Sequence, residues 1–407
     1  MSPNPLRHNT MTRERPAAAG AKNPFEYGRA LAADELCDRA PELAKIERAA
    51  ANLGKLFLIG PRRYGKTSLL HAAEERLEGR GVTVLRFDAE RYETLDLLAQ
   101  ALLADATRVL RGPVQRARDV FLAAAKRLKP EVTYDAAGNE WMVSLGLARE
   151  TERGALPLLV DALDAIERLA KATDRAVMVI LDEFQQVVTE GGAGAERQLR
   201  AAVQQHRHVS YVFAGSVTRV LADMVTKRGR AFYRLGETLY LSTLPREEFR
   251  PYLRKRFDGA GFAVTDGGLD RLLDVVEEVP LSVQRVAHEC WERCRDGAAA
   301  RLDEAAVDAA LDAVLAQENP GFTRAWTSLT RAQKVALKAV VLEGGRAMFS
   351  HAVARRARSS VATMQRALRS LEAAQWVRRE EDVSPARYRV EDPLFAAWVR
   401  WAQELER

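Results

Sequence analysis

Short apolar runs alternate with longer stretches of helical period between Phe25 and about Leu241. The runs are rich in Val, Ile, Leu and Phe, and they read "KLFLIG", "VTVLRF", "AVMVILDE", "VSYVFAGS" and "TLYLS". Nearly continuous apolar runs are typical of strands that are buried on both faces. Strands that alternate with helices predict an α/β fold, with a parallel sheet covered by helices on both sides.

One segment in this region has a different pattern. The stretch "PEVTYDAAGNEWMVSLG", from Pro130 to Gly146, alternates polar and apolar residues and carries a turn signal at Ala137-Gly138-Asn139. Alternation on both sides of such a turn predicts a β-hairpin. We expect it at the periphery of the sheet.

The pattern becomes almost wholly helical from Leu244 to about Asn319, which indicates a small helical bundle or lid. A break is expected at Pro320-Gly321. After it come three helical stretches, "RAQKVALKAVVLEG", "SHAVARRAR" and "SVATMQRALRSLEAA", and then "WVRREEDVSPARYRVED", which reads as two short strands around a turn. Three helices followed by a β-wing predict a winged helix-turn-helix.

These patterns divide the 407 residues into four parts. We expect a disordered tail at 1–22, an α/β core at 23–242, a helical lid at 243–320 and a winged helix domain at 321–407. No apolar run approaches the roughly 18 residues of a membrane span. Three cysteines form no pairing framework, which favours a reducing cytoplasm.

Charge is spread unevenly along the chain. The formal net charge is +6, yet the stretch from Thr323 to Arg379 holds twelve Lys and Arg against two acids, so it carries +10 and the remainder −4. A local excess of this kind favours a polyanionic partner such as DNA. The alternative is an ordinary solvated face.

A glycine-rich loop separates the first apolar run from an amphipathic stretch. "GPRRYGKT", Gly60 to Thr67, matches G-x-x-x-x-G-K-[ST] between a predicted strand and a predicted helix. Glycines let the backbone wrap closely around phosphates, and the loop amides and helix start attract anions. Lys66 is expected to reach the β- and γ-phosphates of ATP, and the Thr67 hydroxyl to bind Mg²⁺. The expected nucleotide contacts are Gly60, Pro61, Arg62, Arg63, Tyr64, Gly65, Lys66, Thr67 and Ser68.

Two carboxylates follow the run "AVMVIL", at Asp182 and Glu183. Charged groups at the end of a buried strand are costly unless they are paired or bind metal. Asp182 is the candidate for the Mg²⁺ shell, and Glu183 for orienting or deprotonating an attacking water. Alternatively, both residues simply begin a solvent-exposed loop.

Further candidates lie at the next strand ends. Ser216 ends "VSYVFAGS" and can sense the γ-phosphate, although it can equally be an ordinary loop serine. Arg228, Arg230 and Arg234 precede "TLYLS". One of them, with Arg234 as the candidate, can reach the γ-phosphate of a neighbouring subunit in a nucleotide-dependent homo-oligomer. Alternatively, each is an ordinary exposed arginine, which is common before an edge of structure.

Together these motifs resemble the STAND/AAA+-type P-loop ATPases often called archaeal ATPases. The resemblance is carried by the loop Gly60–Thr67, "ILDEF", "FAGS", "GETLYL", the entry "NPFEYG" and the closing "DPLFAAWVRW". It implies a nucleotide-binding core, a helical lid and a C-terminal winged helix. The resemblance also implies that Pro24, Phe25 and Tyr27 lie near the adenine. The residues alone would be interpreted as an apolar staple.

The chain departs from that family at two positions. The lid turn "EEVPLSVQR" offers Arg285 only as a loose candidate for the usual γ-phosphate arginine, and Gln284 can occupy that face. The first sensor position holds Ser216 in place of the usual asparagine or threonine. Both departures favour a slow switch over a fast ring-based motor.

The predicted DNA-reading helix is Ser360–Ala374. Its candidate contacts are Thr363, Gln365 and Arg366, while Arg355, Arg356 and Arg358 precede it as candidates for gripping phosphates. A winged helix that binds a protein partner is the alternative.

The leading functional hypothesis is a Mg²⁺-dependent ATPase switch whose nucleotide state repositions the winged helix, on DNA or on a partner. One alternative is a nucleotide-bound scaffold with little turnover. Another is a phosphotransferase acting on small molecules, which the lid and winged helix disfavour.

Overall fold

The computed structural model describes residues 22–110, 130–135, 140–145, 155–216, 219–299, 301–380 and 386–402. The predicted tail, apart from Lys22, lies outside them. Contacts divide the chain into two compact units. One is Arg29–Thr243, and the other combines the chain up to Gly28 with Leu244–Arg407. None of the helices within the described ranges is long and apolar enough to cross a bilayer.

A five-stranded parallel sheet forms the centre of the first unit, as predicted. The strands of the unit are β1 Lys55–Gly60, β2 Thr83–Asp88, β3 Pro130–Asp135, β4 Glu140–Leu145, β5 Val177–Asp182, β6 Val209–Ser216 and β7 Glu237–Tyr240. The order in the central sheet is β2-β5-β6-β1-β7, and all neighbouring strands are parallel. Every residue of β5 and β6 is buried, which explains their uninterrupted apolar sequences.

Strands β3 and β4 are antiparallel, and among the described residues they pair only with each other, as a two-stranded sheet separate from the central one. The predicted turn at 137–139 lies outside the described residues.

Helices surround the central sheet. They are α1 Ala40–Ala51, α2 Lys66–Glu78, α3 Leu95–Val109, α4 Ala155–Thr173, α5 Gln185–Gly191, α6 Ala195–Gln205 and α7 Arg219–Thr226. Aromatic rings fill the core beneath the carboxyl ends of the strands. Phe184 lies 4.6 Å from Phe213 and 5.6 Å from Phe232, measured between ring centroids. This packing anchors the chain directly after β5.

The second unit begins with a helical bundle, α8 Arg246–Gly259, α9 Asp266–Val275, α10 Pro280–Arg295 and α11 Glu304–Ser328, with the short parallel strands β8 Ala263–Val264 and β9 Arg301–Leu302. The predicted break at Pro320-Gly321 is wrong, because α11 continues through both residues. Tertiary packing compensates for the backbone hydrogen bond that proline cannot donate. In the turn after Pro320, Phe322 packs on Phe395 at 5.3 Å between centroids.

The C-terminal module consists of α12 Arg331–Glu343, α13 His351–Arg356, α14 Val361–Ala373, the antiparallel strands β10 Val377–Glu380 and β11 Arg387–Val390, and α15 Pro393–Ala402. Three helices followed by two antiparallel strands is the predicted order, whereas the closing helix α15 was not predicted. The module packs on the bundle: Trp398 Nε1 donates to Asn319 Oδ1 at 2.9 Å, and Arg389 donates to the Glu277 carbonyl at 2.5 Å. Bundle and module therefore form one unit.

Candidate functional site

The glycine-rich loop links β1 to α2 in the predicted strand–loop–helix setting. Gly60 has no room for a side chain, since an added Cβ would lie 2.7 Å from the Leu241 Cβ. Gly65 precedes α2 with φ +83°, a left-handed conformation that glycine adopts without strain. The loop thus ends at a helix N-terminus, whose free amide groups attract anions.

Lys66 begins α2 and turns its side chain into the protein, where only 7% of the residue is exposed. Its Nζ lies 3.5 Å from Ser216 Oγ and 3.9 Å from Glu183 Oε1. The ammonium group is therefore held at the carboxyl edge of the sheet, between the ends of β5 and β6.

Asp182 ends β5 and is almost fully buried, with 5% exposure. Burial raises the pKa of this carboxyl group above its usual value, although the Glu183 amide at 2.9 Å and the charge of Lys66 oppose the rise. Glu183 follows with φ +48° and remains partly exposed. One carboxylate is thus buried at the strand end, and the next is turned toward Lys66.

Ser216 completes the group from the end of β6. Its Oγ lies 3.4 Å from Glu183 Oε2 and 3.5 Å from Lys66 Nζ. Three candidates that are far apart in the sequence therefore meet at one edge, as expected where the carboxyl ends of parallel strands converge.

Two further residues at this edge were not among the predicted site residues. Gln185 donates from Nε2 to Glu183 Oε2 and fits beside Gly215, where an added Cβ would meet Gln185 Oε1 at 2.2 Å. Asp88 ends β2 in register with Asp182, and its charge contributes to the raised pKa of Asp182. The acid that ends "VLRFD" was a readable signal for Asp88, whereas Gln185 gave none.

The donors present fit a magnesium ion that arrives with a nucleotide. Asp182 offers a buried carboxylate, and Thr67 offers an exposed hydroxyl at the start of α2. Within the described ranges no group of three or more His, Cys, Asp or Glu side chains is placed to hold a metal. Mg²⁺ commonly uses one or two protein donors together with phosphate oxygens and water, so the sparse set is appropriate.

The other loop candidates differ in exposure. Arg62 and Arg63 are exposed, Pro61 and Tyr64 are buried, and Ser68 is partly buried at the start of α2. Arg63 adopts φ +71°, so the loop backbone is left-handed on both sides of Tyr64.

Phe25 and Tyr27, the adenine candidates, belong to the second unit. Phe25 is 1% exposed and packs on Phe257 with 4.9 Å between ring centroids. The Arg285 guanidinium lies 4.7 Å from the Tyr27 ring centroid and pairs with Glu318 at 2.5 Å.

The three arginines before β7 differ in exposure and in their contacts. Arg230 is paired with Glu196 on α6. Arg234 is exposed, and its guanidinium lies over the ring of its neighbour Tyr233 at 5.2 Å. Arg228 is exposed.

The proposed DNA contacts lie on α13, α14 and the turn between them. Arg355, Arg356, Arg358 and Arg366 are exposed, whereas Thr363 and Gln365 are partly buried. Arg356 pairs with Glu343 at 2.6 Å. Thr363 accepts a hydrogen bond at 2.9 Å from Ser360, the N-cap of α14.

Comparisons with known proteins agree with this architecture. Residues 52–219 match the family described as an AAA domain. The chain is similar to the Walker-type ATPase paby2304 of Pyrococcus abyssi, with TM-score 0.62 and 17% identity over 93% of this chain and 99% of that one. It is also similar to the ORC2 protein of Aeropyrum pernix in ADPNP-ADP complexes, with TM-score 0.56 and 16% identity over 95% and 98% of the two chains. No curated protein sequence matches the chain.

Fold and site together define the class of structure: the chain has the P-loop NTPase fold, and the part that matches the AAA domain, residues 52–219, contains the phosphate loop, Asp182, Glu183 and Ser216.

Asp182→Asn is expected to stabilise the nucleotide-free protein while weakening its response to magnesium. Because the pKa of Asp182 is raised on folding, its ionised form lowers the free energy of unfolding at neutral pH, and that cost falls as pH drops through the raised pKa. The uncharged amide removes the cost, so we expect Tm at pH 7 to rise by about 2 °C. Thermal unfolding without nucleotide checks this part.

The second part is checked by ATP titration in Mg²⁺ and in EDTA. The ATP affinity of wild type should rise with Mg²⁺, and that of Asp182→Asn should not. Asp34→Asn is the control, because it removes a carboxylate that is exposed. A variant that keeps the full Mg²⁺ response contradicts the assignment.

Proposed function

We propose that this protein is a Mg²⁺-dependent ATPase switch of the STAND/AAA+ type. The observation that carries the proposal is the convergence of Lys66, Glu183 and Ser216 beside a phosphate-binding loop. A buried ammonium, a partly exposed carboxylate and a hydroxyl are the groups that phosphoryl transfer to water requires.

Each residue has a distinct role in this proposal. The loop amides and Lys66 hold the β- and γ-phosphates, and Lys66 offsets negative charge that develops during transfer. Glu183 accepts the proton of the attacking water, while Gln185 orients its carboxylate. Ser216 lies beside both charged groups and donates to the γ-phosphate. Mg²⁺, held by Thr67 and Asp182, would supply further neutralisation of phosphate charge.

Repositioning of the C-terminal module is the proposed output. The module carries the basic excess, and its arginines Arg355, Arg358 and Arg366 have no ion-pair partner among the described residues. Exposed arginines on neighbouring helices suit the phosphates of duplex DNA. Support for DNA over a protein partner therefore rests on charge and exposure.

We expect duplex DNA to stimulate ATP turnover by the protein at low salt. DNA should bind most tightly there, because neutralising its phosphates releases counterions. Stimulation should decrease when salt is raised from 50 to 200 mM, because the DNA affinity of a protein with a few phosphate contacts falls about tenfold or more over this range. Arg355→Ala combined with Arg366→Ala should weaken DNA binding and lower the salt slope by about 2. Phosphate release and fluorescence anisotropy measure the two effects.

Removal of two exposed arginines from the core, Arg168→Ala with Arg207→Ala, is the matched control for total charge. It should retain the wild-type response. If DNA does not change ATP turnover at either salt concentration, the DNA assignment is rejected and a protein partner is favoured.

A further inference from the structure

We infer that Arg39 is a positioning residue that ties the phosphate loop to the segment through which the chain leaves the central sheet. This inference rests on the proposed ATP site. Arg39 immediately precedes α1 and is only 6% exposed. Its guanidinium donates at 2.9 Å to the carbonyl of Ser242 and at 3.3 Å to that of Tyr64. It also pairs with Glu42 at 2.8 Å.

Burial shows that this contact is built into the fold. A guanidinium taken out of water is costly unless its donors are satisfied. The nearby carboxylate of Glu42 and two carbonyls from distant parts of the chain meet that requirement here. Arginine suits the position because its planar fork can reach several acceptors at fixed angles, which a lysine cannot do.

The bond to Tyr64 acts on the part of the loop with the most constrained backbone. Arg63 and Gly65, on either side, have φ of +71° and +83°. In a trans peptide the carbonyl and the following N–H point in opposite directions. Fixing the Tyr64 carbonyl toward Arg39 therefore turns the Gly65 amide away from it and sets the orientation of one proposed phosphate donor.

The hydrogen bond to Ser242 connects Arg39 to the C-terminal end of the first unit. Ser242 lies two residues before Leu244, where the second unit begins. The preceding residue, Leu241, donates from its amide to the Ile59 carbonyl at 2.7 Å and contacts Gly60. The exit segment is thus bonded both to β1 and, through Arg39, to the phosphate loop.

The entry segment has a separate connection to the same region. The Leu31 amide donates at 3.0 Å to Ser68 Oγ, in the first turn of α2. Both places where the chain passes between the units, Gly28–Arg29 and Thr243–Leu244, therefore lie within a few residues of bonds to the loop or its helix. Ordering of the loop by nucleotide is consequently coupled to both connections.

The test compares Arg39→Ala, Arg39→Lys and the control Arg48→Ala, whose side chain is exposed on α1. ATP turnover gives KM and kcat, and hydrogen exchange with and without Mg·ATP reports on peptides covering 60–66 and 241–246. Wild type should gain protection in both peptides. We expect Arg39→Ala to raise KM about tenfold with kcat changed less than threefold, and to lose the nucleotide-dependent protection of 241–246.

Arg39→Lys keeps charge and most of the volume, so it should fold even if the alanine variant does not. It should bind ATP with intermediate affinity yet leave 241–246 unprotected. A folded Arg39 variant with wild-type KM and wild-type protection overturns the inference while leaving the proposed function intact. Wild-type protein that binds no Mg·ATP would instead reject the proposed function, and the inference with it.

Discussion

Lys66→Ala is expected to lower the affinity for Mg·ATP by about 100-fold, because charge-assisted hydrogen bonds to phosphate are among the strongest polar contacts in proteins. Lys66 is 7% exposed, so its ammonium group acts in a region where water screens charge poorly. The loop amides remain and should retain weak binding. Titration with a fluorescent ATP analogue measures the change.

Removal of Lys66 also takes away the cation that opposes the raised pKa of Asp182. Lys45→Ala on α1 is the matched control, since this lysine is only partly buried and pairs with Glu237 at 3.3 Å. It should bind ATP like wild type. If Lys66→Ala and wild type bind Mg·ATP equally, the loop is not a phosphate site and the proposed function fails.

Glu183→Gln is expected to have the second large effect, because it should slow ATP hydrolysis without weakening ATP binding. Glutamine preserves the size of the side chain but cannot accept a proton from water. We expect ATP affinity to change less than threefold while phosphate release slows by about 10²- to 10⁴-fold, the usual range for loss of a general base. Single-turnover hydrolysis with pre-bound ATP isolates the chemical step.

Glu190→Gln is its control, since Glu190 is exposed on α5, seven residues further along the chain. It should hydrolyse ATP at the wild-type rate. Equal phosphate release from wild type and Glu183→Gln would reject the assignment of Glu183. Tight ATP binding by wild type without measurable release would favour the alternative of a nucleotide-bound scaffold.

Local sequence patterns identified most of the residues that the structure brings together at the carboxyl edge of the sheet. The loop Gly60–Thr67 is contiguous, and Asp182 and Glu183 directly follow a buried apolar strand. Parallel strands bring their carboxyl ends to one edge, so the meeting of Lys66, Glu183 and Ser216 followed from topology. Gln185 could not be predicted in this way, because its role depends on space left by Gly215.

Pro320 illustrates the opposite limit. A Pro-Gly pair usually ends a helix, since proline lacks an amide donor and glycine loses more backbone entropy. In α11 both residues are helical, and the aromatic contact of Phe322 with Phe395 and the bond between Asn319 and Trp398 hold the turns around them. Tertiary contacts with α15 outweighed the local preference.

By itself, the sequence determined the α/β class, the strand segments, the phosphate loop and the basic character of the C-terminal module, because each depends on residues close together in the chain. Tertiary structure alone decided that Phe25 packs in the second unit, that α11 is continuous, and that Arg39 joins Tyr64 to Ser242. Those contacts connect residues far apart in sequence. Their free energy comes from burial and from hydrogen bonds that exist only once the chain has folded.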